Sequence, residues 1–216
     1  MFNLSFNNYT FLVEDEDVSI TGEINSSGVL LINGDSGVGK TTLIKSLITN
    51  NGVDKKSLMR NGQNFFSTPI AKRELGIMFQ HTSLFPDLSV YENVFLPLKY
   101  SLKFSTLSKG QKSHKVKSIL QSLKMDSYYD RMPSELSGGQ QRKIAFAQAI
   151  VSSPKIILMD EPYKELDDNS VNLINASIWN YLNDNDCIFI ICSHLLKNNI
   201  FINTKMLTLV RGKNIF

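Results

Sequence analysis

Val29-Leu30-Leu31-Ile32 runs into Gly34-Asp35-Ser36-Gly37-Val38-Gly39-Lys40-Thr41-Thr42, after which Leu43, Ile44, Leu47 and Ile48 recur at helical spacing. A short unbroken apolar run reads as a buried strand, and apolar residues three and four apart read as one face of a helix. Asn50-Asn51-Gly52 is a stop signal for that helix. Strand, glycine loop and helix together open a parallel α/β sheet. Gly34, Gly39, Lys40 and Thr41 have the full spacing of a phosphate-binding loop. Each residue type has a physical reason. Glycines let the backbone curl until successive N–H groups face phosphate oxygens. A helix starting near Lys40 adds the positive end of its dipole. The Lys40 ammonium suits β- and γ-phosphates, and the Thr41 hydroxyl suits Mg²⁺. This motif alone specifies a nucleoside triphosphate and does not separate a kinase from a GTPase or a transport ATPase.

Further apolar runs extend the sheet. Ile156–Met159 and Ile188–Cys192 read as central strands covered on both faces. Leu207–Val210 reads as a last strand, and Asn61-Gly62 as a hairpin turn between two short ones. Residues 83–150 read mostly as helix and loop, with Val116, Ile119, Leu120 and Leu123 at helical spacing. The expectation is one domain, 1–216, with a core of 1–82 and 152–216 and a helical lobe at about 83–151.

The bulk numbers narrow the partners. Lys and Arg number 23 against 20 Asp and Glu, too even a balance to argue for a nucleic-acid face. Cys187 and Cys192 lie in an apolar run without metal-site spacing, so buried thiols in a reducing compartment are expected. No apolar run approaches the ~20 residues of a membrane span. The start, MFNLSFNNYTF, lacks the parts of a signal peptide. A cytoplasmic location is expected.

Two more stretches complete a site. Asp160-Glu161 follows the strand Ile156–Met159, and ligands in open α/β sheets bind beyond the carboxyl ends of strands. Asp160 is placed there to hold Mg²⁺, and Glu161 to polarise an attacking water as a general base. Leu136-Ser137-Gly138-Gly139-Gln140 precedes a helix read as Gln141 to about Val151. A serine and two glycines at a helix N-terminus make a second phosphate-facing surface. This stretch, followed by Gln141-Arg142, resembles the signature motif of the ABC (ATP-binding cassette) ATPases.

The resemblance covers nearly the whole chain and carries further expectations. It implies a P-loop NTPase (RecA-like) α/β fold, with a mainly parallel sheet, an N-terminal antiparallel β portion and an inserted α-helical subdomain. It implies ATP and Mg²⁺ as cofactors. Gln80, in Gly76-Ile77-Met78-Phe79-Gln80, resembles the Q-loop glutamine, which contacts the metal and the water. Glu165-Leu166-Asp167 resembles the D-loop, and His194, after Ser193, the switch histidine that contacts the γ-phosphate. The signature residues Ser137, Gly138 and Gly139 would close over ATP held by a second ATPase subunit, a homodimer being favoured because both halves of the site are present. Tyr9 and Phe11 are both candidates for stacking on adenine, with distance to the phosphate loop favouring Phe11; the alternative is that both are core strand residues and neither stacks.

Some positions depart from the pattern. Lys164-Glu165 stand where the D-loop usually has small residues, and Leu195 follows the histidine where an acid is common. Phe216 comes soon after Arg211-Gly212-Lys213, so no C-terminal regulatory domain is expected. Tyr163, after Glu161-Pro162, and Leu84-Phe85-Pro86 resemble bacterial importer ATPases. The implied partners are transmembrane permease subunits and, for an importer, an extracytoplasmic substrate-binding protein, with the chain peripheral on the inner face of the membrane. Export, lipoprotein release or a cell-division role are the alternatives. A soluble ABC ATPase acting on DNA or ribosomes lacks the long coiled coils or second cassette it needs, and a kinase or GTPase has no use for Leu136–Gln140.

Overall fold

The computed structural model describes residues 2–49, 57–81, 84–194 and 204–216. The helix stop at 50–52 and Leu195 lie outside these. The chain opens with an antiparallel pair, β1 (Asn3–Val13) and β2 (Glu16–Asn25). β3 (Gly28–Asn33) follows, then the glycine loop and α1 (Lys40–Thr49). A hairpin of β4 (Leu58–Arg60) and β5 (Gln63–Asn64) turns at Asn61-Gly62, both at positive φ. After β6 (Leu75–Met78) come α2 (Val90–Tyr100), α3 (Lys109–Ser122) and α4 (Gly138–Ile150). The chain then returns through β7 (Ile156–Asp160), α5 (Asp168–Asp184), β8 (Ile188–Cys192), β9 (Thr204–Thr208) and β10 (Gly212–Ile215).

Two five-stranded sheets result. One is wholly parallel, in the order β6-β7-β8-β3-β9. The other runs β10-β2-β1-β4-β5 and is antiparallel except where β10 lies parallel to β2. Side chains alternate across a strand, and the parallel sheet uses both faces. Leu30, Ile32, Ile156, Leu158, Ile188 and Ile190 face α1 and the antiparallel sheet. Val29, Leu31, Ile157, Met159, Phe189 and Ile191 pack with the helices on the other side. Double coverage is why these strands read as unbroken apolar runs. Each such side chain contributes about 2 kcal/mol on burial, so the strand ends that carry the site are firmly held.

The three helices after β6 each begin with a capping box, in which a serine hydroxyl and a Glu or Gln side chain satisfy each other's backbone N–H. The pairs are Ser89 with Glu92, Ser108 with Gln111, and Ser137 with Gln140. The last box starts α4 at Gly138, three residues before the expected Gln141. Two glycines are poor helix formers, and the cap offsets them. α4 also packs on β6. A methyl group at Gly76 would lie 2.2 Å from the Ala149 carbonyl oxygen, so helix and strand meet only because Gly76 has no side chain.

The end of the chain differs from expectation. β9 covers Thr204–Thr208 rather than Leu207–Val210, and β10 joins the other sheet. Gly212–Ile215 has no apolar signal, since its inward residue is Asn214. That amide donates to the carbonyls of Ser19, Val210 and Gly212 and accepts from the Val210 N–H. A saturated polar residue here replaces an apolar one.

Candidate functional site

The carboxyl ends of β3, β6, β7 and β8 lie side by side, and the residues that follow them meet around one cavity of about 690 Å³. Its lining includes Lys40 and Thr41 after β3, Gln80 after β6, Asp160 and Glu161 at β7, and His194 after β8. This is the position where open α/β sheets bind ligands.

The glycine loop is tightly seated. Gly39 has φ +111°, and a methyl group on it would come within 2.5 Å of Val13. The Lys40 side chain is buried. Its ammonium donates to the carbonyls of Gly34 at 2.6 Å and Asp35 at 3.0 Å, and to Nε2 of His194 at 2.9 Å. These three bonds saturate a lysine. The Thr41 hydroxyl donates to Asp160 Oδ2 at 2.7 Å. The other carboxylate oxygen, Oδ1, is buried without a hydrogen bond among the described residues. Asp35 and Ser36 are exposed at the rim, Val38 is buried under the loop, and Thr42 is half-buried.

Glu161 is held on one side only. Its Oε2 accepts from the Ser193 hydroxyl at 3.4 Å and the His194 N–H at 3.3 Å. Its Oε1 is buried, has no hydrogen bond among the described residues, and lies 3.4 Å from His194 Nε2. The backbone at Glu161 has φ +47°, an uncommon conformation for a residue with a side chain. The Glu161 N–H donates to the Cys192 carbonyl at 2.8 Å. That bond extends the β7–β8 ladder by one rung, and the positive φ then takes the chain out of the strand.

The base-stacking expectation fails. Tyr9 and Phe11 are 0% and 1% exposed, and neither lines the cavity. The cause is a bulge in β1 between Phe6 and Tyr9, where β1 advances three residues against two of β2. Before it Leu4 and Phe6 point inward; after it Tyr9, Phe11 and Val13 do. An extra residue flips every later side chain to the other face. Tyr9 instead stacks on Phe66 and donates to the Ser46 hydroxyl of α1 at 2.9 Å, while burial raises its pKa well above the usual phenol value. Leu12, 49% exposed, takes the outward place and lines the cavity with Val13 and Glu14.

The signature stretch lies elsewhere on the surface. Leu136 is buried, Ser137 and Gly138 are exposed, and Gly139 and Gln140 are half-buried; none lines the cavity. Of the D-loop residues, Glu165 places Oε2 about 3.1 Å from where a methyl group on Gly138 would be, and Leu166 lies against Gly139. Asp167 caps α5 through the Ser170 N–H at 2.6 Å, a bond that lowers its pKa. Both cysteines are buried free thiols; burial pushes Cys187 up to about 12 and Cys192 well above its usual value.

Three residues gained a place that the sequence reading had not given them. Arg142, buried in α4, donates to the Gln80 carbonyl. Burial lowers its pKa, and Glu165, Glu161 and Asp160 oppose that. Arg211 donates to the carbonyls of Val13 and Gly37 and to Glu14, tying the glycine loop to the β1–β2 turn. Lys164 lines the cavity.

Residues 18–164 match the ABC transporter family. The spermidine/putrescine import ATP-binding protein PotA of Thermotoga maritima is 34% identical over 76% of this chain and 44% of its own length. The Fe(3+) ions import ATP-binding protein FbpC of Fusobacterium nucleatum is 39% identical over 62% of this chain and 35% of its own. The chain thus spans less than half the length of these curated relatives. Among solved structures, an ATP-binding cassette of an ABC transporter in its ADP conformation superposes with a TM-score of 0.81 at 23% identity, covering 100% of this chain and 90% of that one. A dimeric bacterial ABC transporter cassette gives 0.78 at 22%, covering 99% and 96%. These two establish the fold.

Proposed function

The chain belongs to the ABC transporter family, and from that premise we propose that it binds and hydrolyses ATP to power a membrane transporter working in import. The observation that carries the reading is the meeting of Lys40, Thr41, Asp160, Glu161, His194 and Gln80 around one cavity. Import is favoured because the relatives named above are import ATP-binding proteins.

In this reading the Lys40 ammonium exchanges two loop carbonyls for β- and γ-phosphate oxygens, and charge-assisted bonds favour the exchange. Glu161 keeps Oε2 on Ser193 and His194, and uses Oε1 to orient water and accept its proton. His194 and Lys40 stand where charge develops on the departing phosphoryl group. Mg²⁺ fits the residues present: Asp160 has a buried oxygen without a hydrogen bond, and Thr41 is fixed beside it. An oxygen-only set with one carboxylate suits this ion when phosphates complete the shell. Thr41, Asp160 and Gln80 would hold it, and it would offset negative charge on the phosphates.

Ser137, Gly138 and Gly139 serve a second copy of the chain, closing on its nucleotide from an exposed helix start. A groove of about 510 Å³ with exposed Ile70, Tyr100 and Leu102 separates the β6 side from the end of α2. The permease, a separate polypeptide, would dock near Gln80 and the helical lobe. Among the described residues no helix is long and apolar enough to cross a membrane. The chain would sit on the inner face of the membrane through that partner, with an extracytoplasmic substrate-binding protein completing the importer.

The test is Glu161→Gln. It should keep ATP affinity, lose turnover by about a hundredfold or more, and accumulate a dimer in ATP on size exclusion. Turnover at the wild-type rate would remove Glu161 from the role of base.

A further inference from the structure

Lys164 and Glu165 break the small-residue pattern of the D-loop, and their side chains go to different places. Glu165 turns to the signature helix at Gly138. Lys164 turns to the cavity, sharing its lining with Lys40, Glu161, Gln80 and His194. The path between them is well fixed. The Lys164 N–H donates to the Glu161 carbonyl at 3.3 Å, closing a turn through Pro162 and Tyr163. Tyr163 is buried, and its hydroxyl donates to Asn175 of α5 at 2.7 Å. The turn therefore holds the Lys164 backbone against Glu161, three residues earlier, and both residues line the cavity.

The two lysines of the cavity differ. Lys40 is saturated by carbonyls and an imidazole. The exposed Lys164 ammonium has no hydrogen bond or ion pair among the described residues. A long flexible cation costs little to redirect when a stronger anion arrives. A nucleoside triphosphate is such an anion, and its terminal phosphate is the part of the molecule most distant from the base.

We propose that Lys164 is a second phosphate-contacting ammonium, donating hydrogen bonds to the terminal phosphoryl group of the nucleotide held by Lys40. The proposal rests on the ATPase reading. No proton transfers to or from Lys164; it supplies positive charge where the phosphoryl group separates from the β-phosphate, a charge-stabilising role that other phosphoryl-transfer sites give to an arginine. Its exposure makes the effect smaller than that of a buried donor, because solvent and salt screen it.

The experiment compares Lys164→Gln and Lys164→Arg in the full chain, with kcat from steady-state hydrolysis. ATP and ADP affinities are measured by calorimetry in the Glu161→Gln background. Lys164→Gln should lower kcat about tenfold and reduce ATP affinity while leaving ADP affinity within twofold. Lys164→Arg should restore most of both. Equal losses for ATP and ADP, or a kcat within twofold of wild type, would overturn the proposal. A purely structural role would shift the melting temperature and both nucleotides together, so the ATP-to-ADP ratio decides even if a variant is less stable. A wild-type protein that binds ATP without hydrolysing it would sink the ATPase reading, and the same ratio would still judge Lys164.

Discussion

At the end of the cavity assigned above to the phosphates, side chains hold one another. Lys40 is bonded to two carbonyls and His194, Thr41 to Asp160, and Glu161 to Ser193 and the His194 N–H. Behind them stand β7 and β8, buried at every residue. At the opposite end the side chain facing the cavity is Leu12, an aliphatic half in solvent. The polar groups there, Glu14 and Arg211, are paired with each other at 2.7 Å. Phosphate chemistry needs charges fixed to fractions of an ångström, whereas a base needs apolar area. In the proposed reading, affinity and catalysis both come from the first end, and the second contributes contact without selection.

Removing Lys40 is the strongest way to break this contrast. Lys40→Ala should reduce ATP affinity by about 3 kcal/mol, roughly a hundredfold, by calorimetry. Inorganic tripolyphosphate should lose as much, because the loss lies entirely at the phosphate end. Affinity within threefold of wild type would mean that the loop N–H groups bind alone.

The same contrast explains what could be read from the sequence. Lys40, Thr41, Asp160-Glu161 and His194 were singled out because the proposed chemistry limits residue type and spacing, and the structure brings these residues to one cavity. The central parallel strands β3, β7 and β8 were legible because burial on two faces leaves few polar residues to blur the run, whereas the edge strand β9, TKMLT, is mostly exposed and was misplaced. The base end was not. Tyr9 and Phe11 are aromatic and near the loop, but one bulged residue at Asn7-Asn8 decides which face they take. A bulge has no reliable signature when the residues after it keep the alternation. β10 was hidden for a related reason, its inward residue being a fully bonded Asn214. Arg142 was seen only as part of a motif, since its partner is a backbone carbonyl, which no side-chain pattern reveals.

Tyr9 tests the correction directly. Tyr9→Phe removes the bond to Ser46 and keeps the ring against Phe66. It should cost about 1 kcal/mol of stability, a fall of roughly 2–4 °C in melting temperature for a chain of this size. ATP affinity should not change. A tenfold loss of affinity without a change in melting temperature would return Tyr9 to the nucleotide.

The smallest effect is the most diagnostic of the base end. Leu12→Tyr places an aromatic face where Leu12 now lines the cavity. Aromatic stacking adds about 1 kcal/mol beyond plain apolar contact, so ATP affinity should rise about fivefold. GTP should gain equally, because a ring face does not read the hydrogen-bonding edge of a base. Tripolyphosphate, which has no base, should bind as before. The three ligands then separate the ends of the cavity: Lys40→Ala weakens all of them, and Leu12→Tyr strengthens only the two with a base. If Leu12→Tyr left ATP binding unchanged, the base would have to lie against Val13 and Glu14 instead, with the Arg211–Glu14 pair as its neighbour.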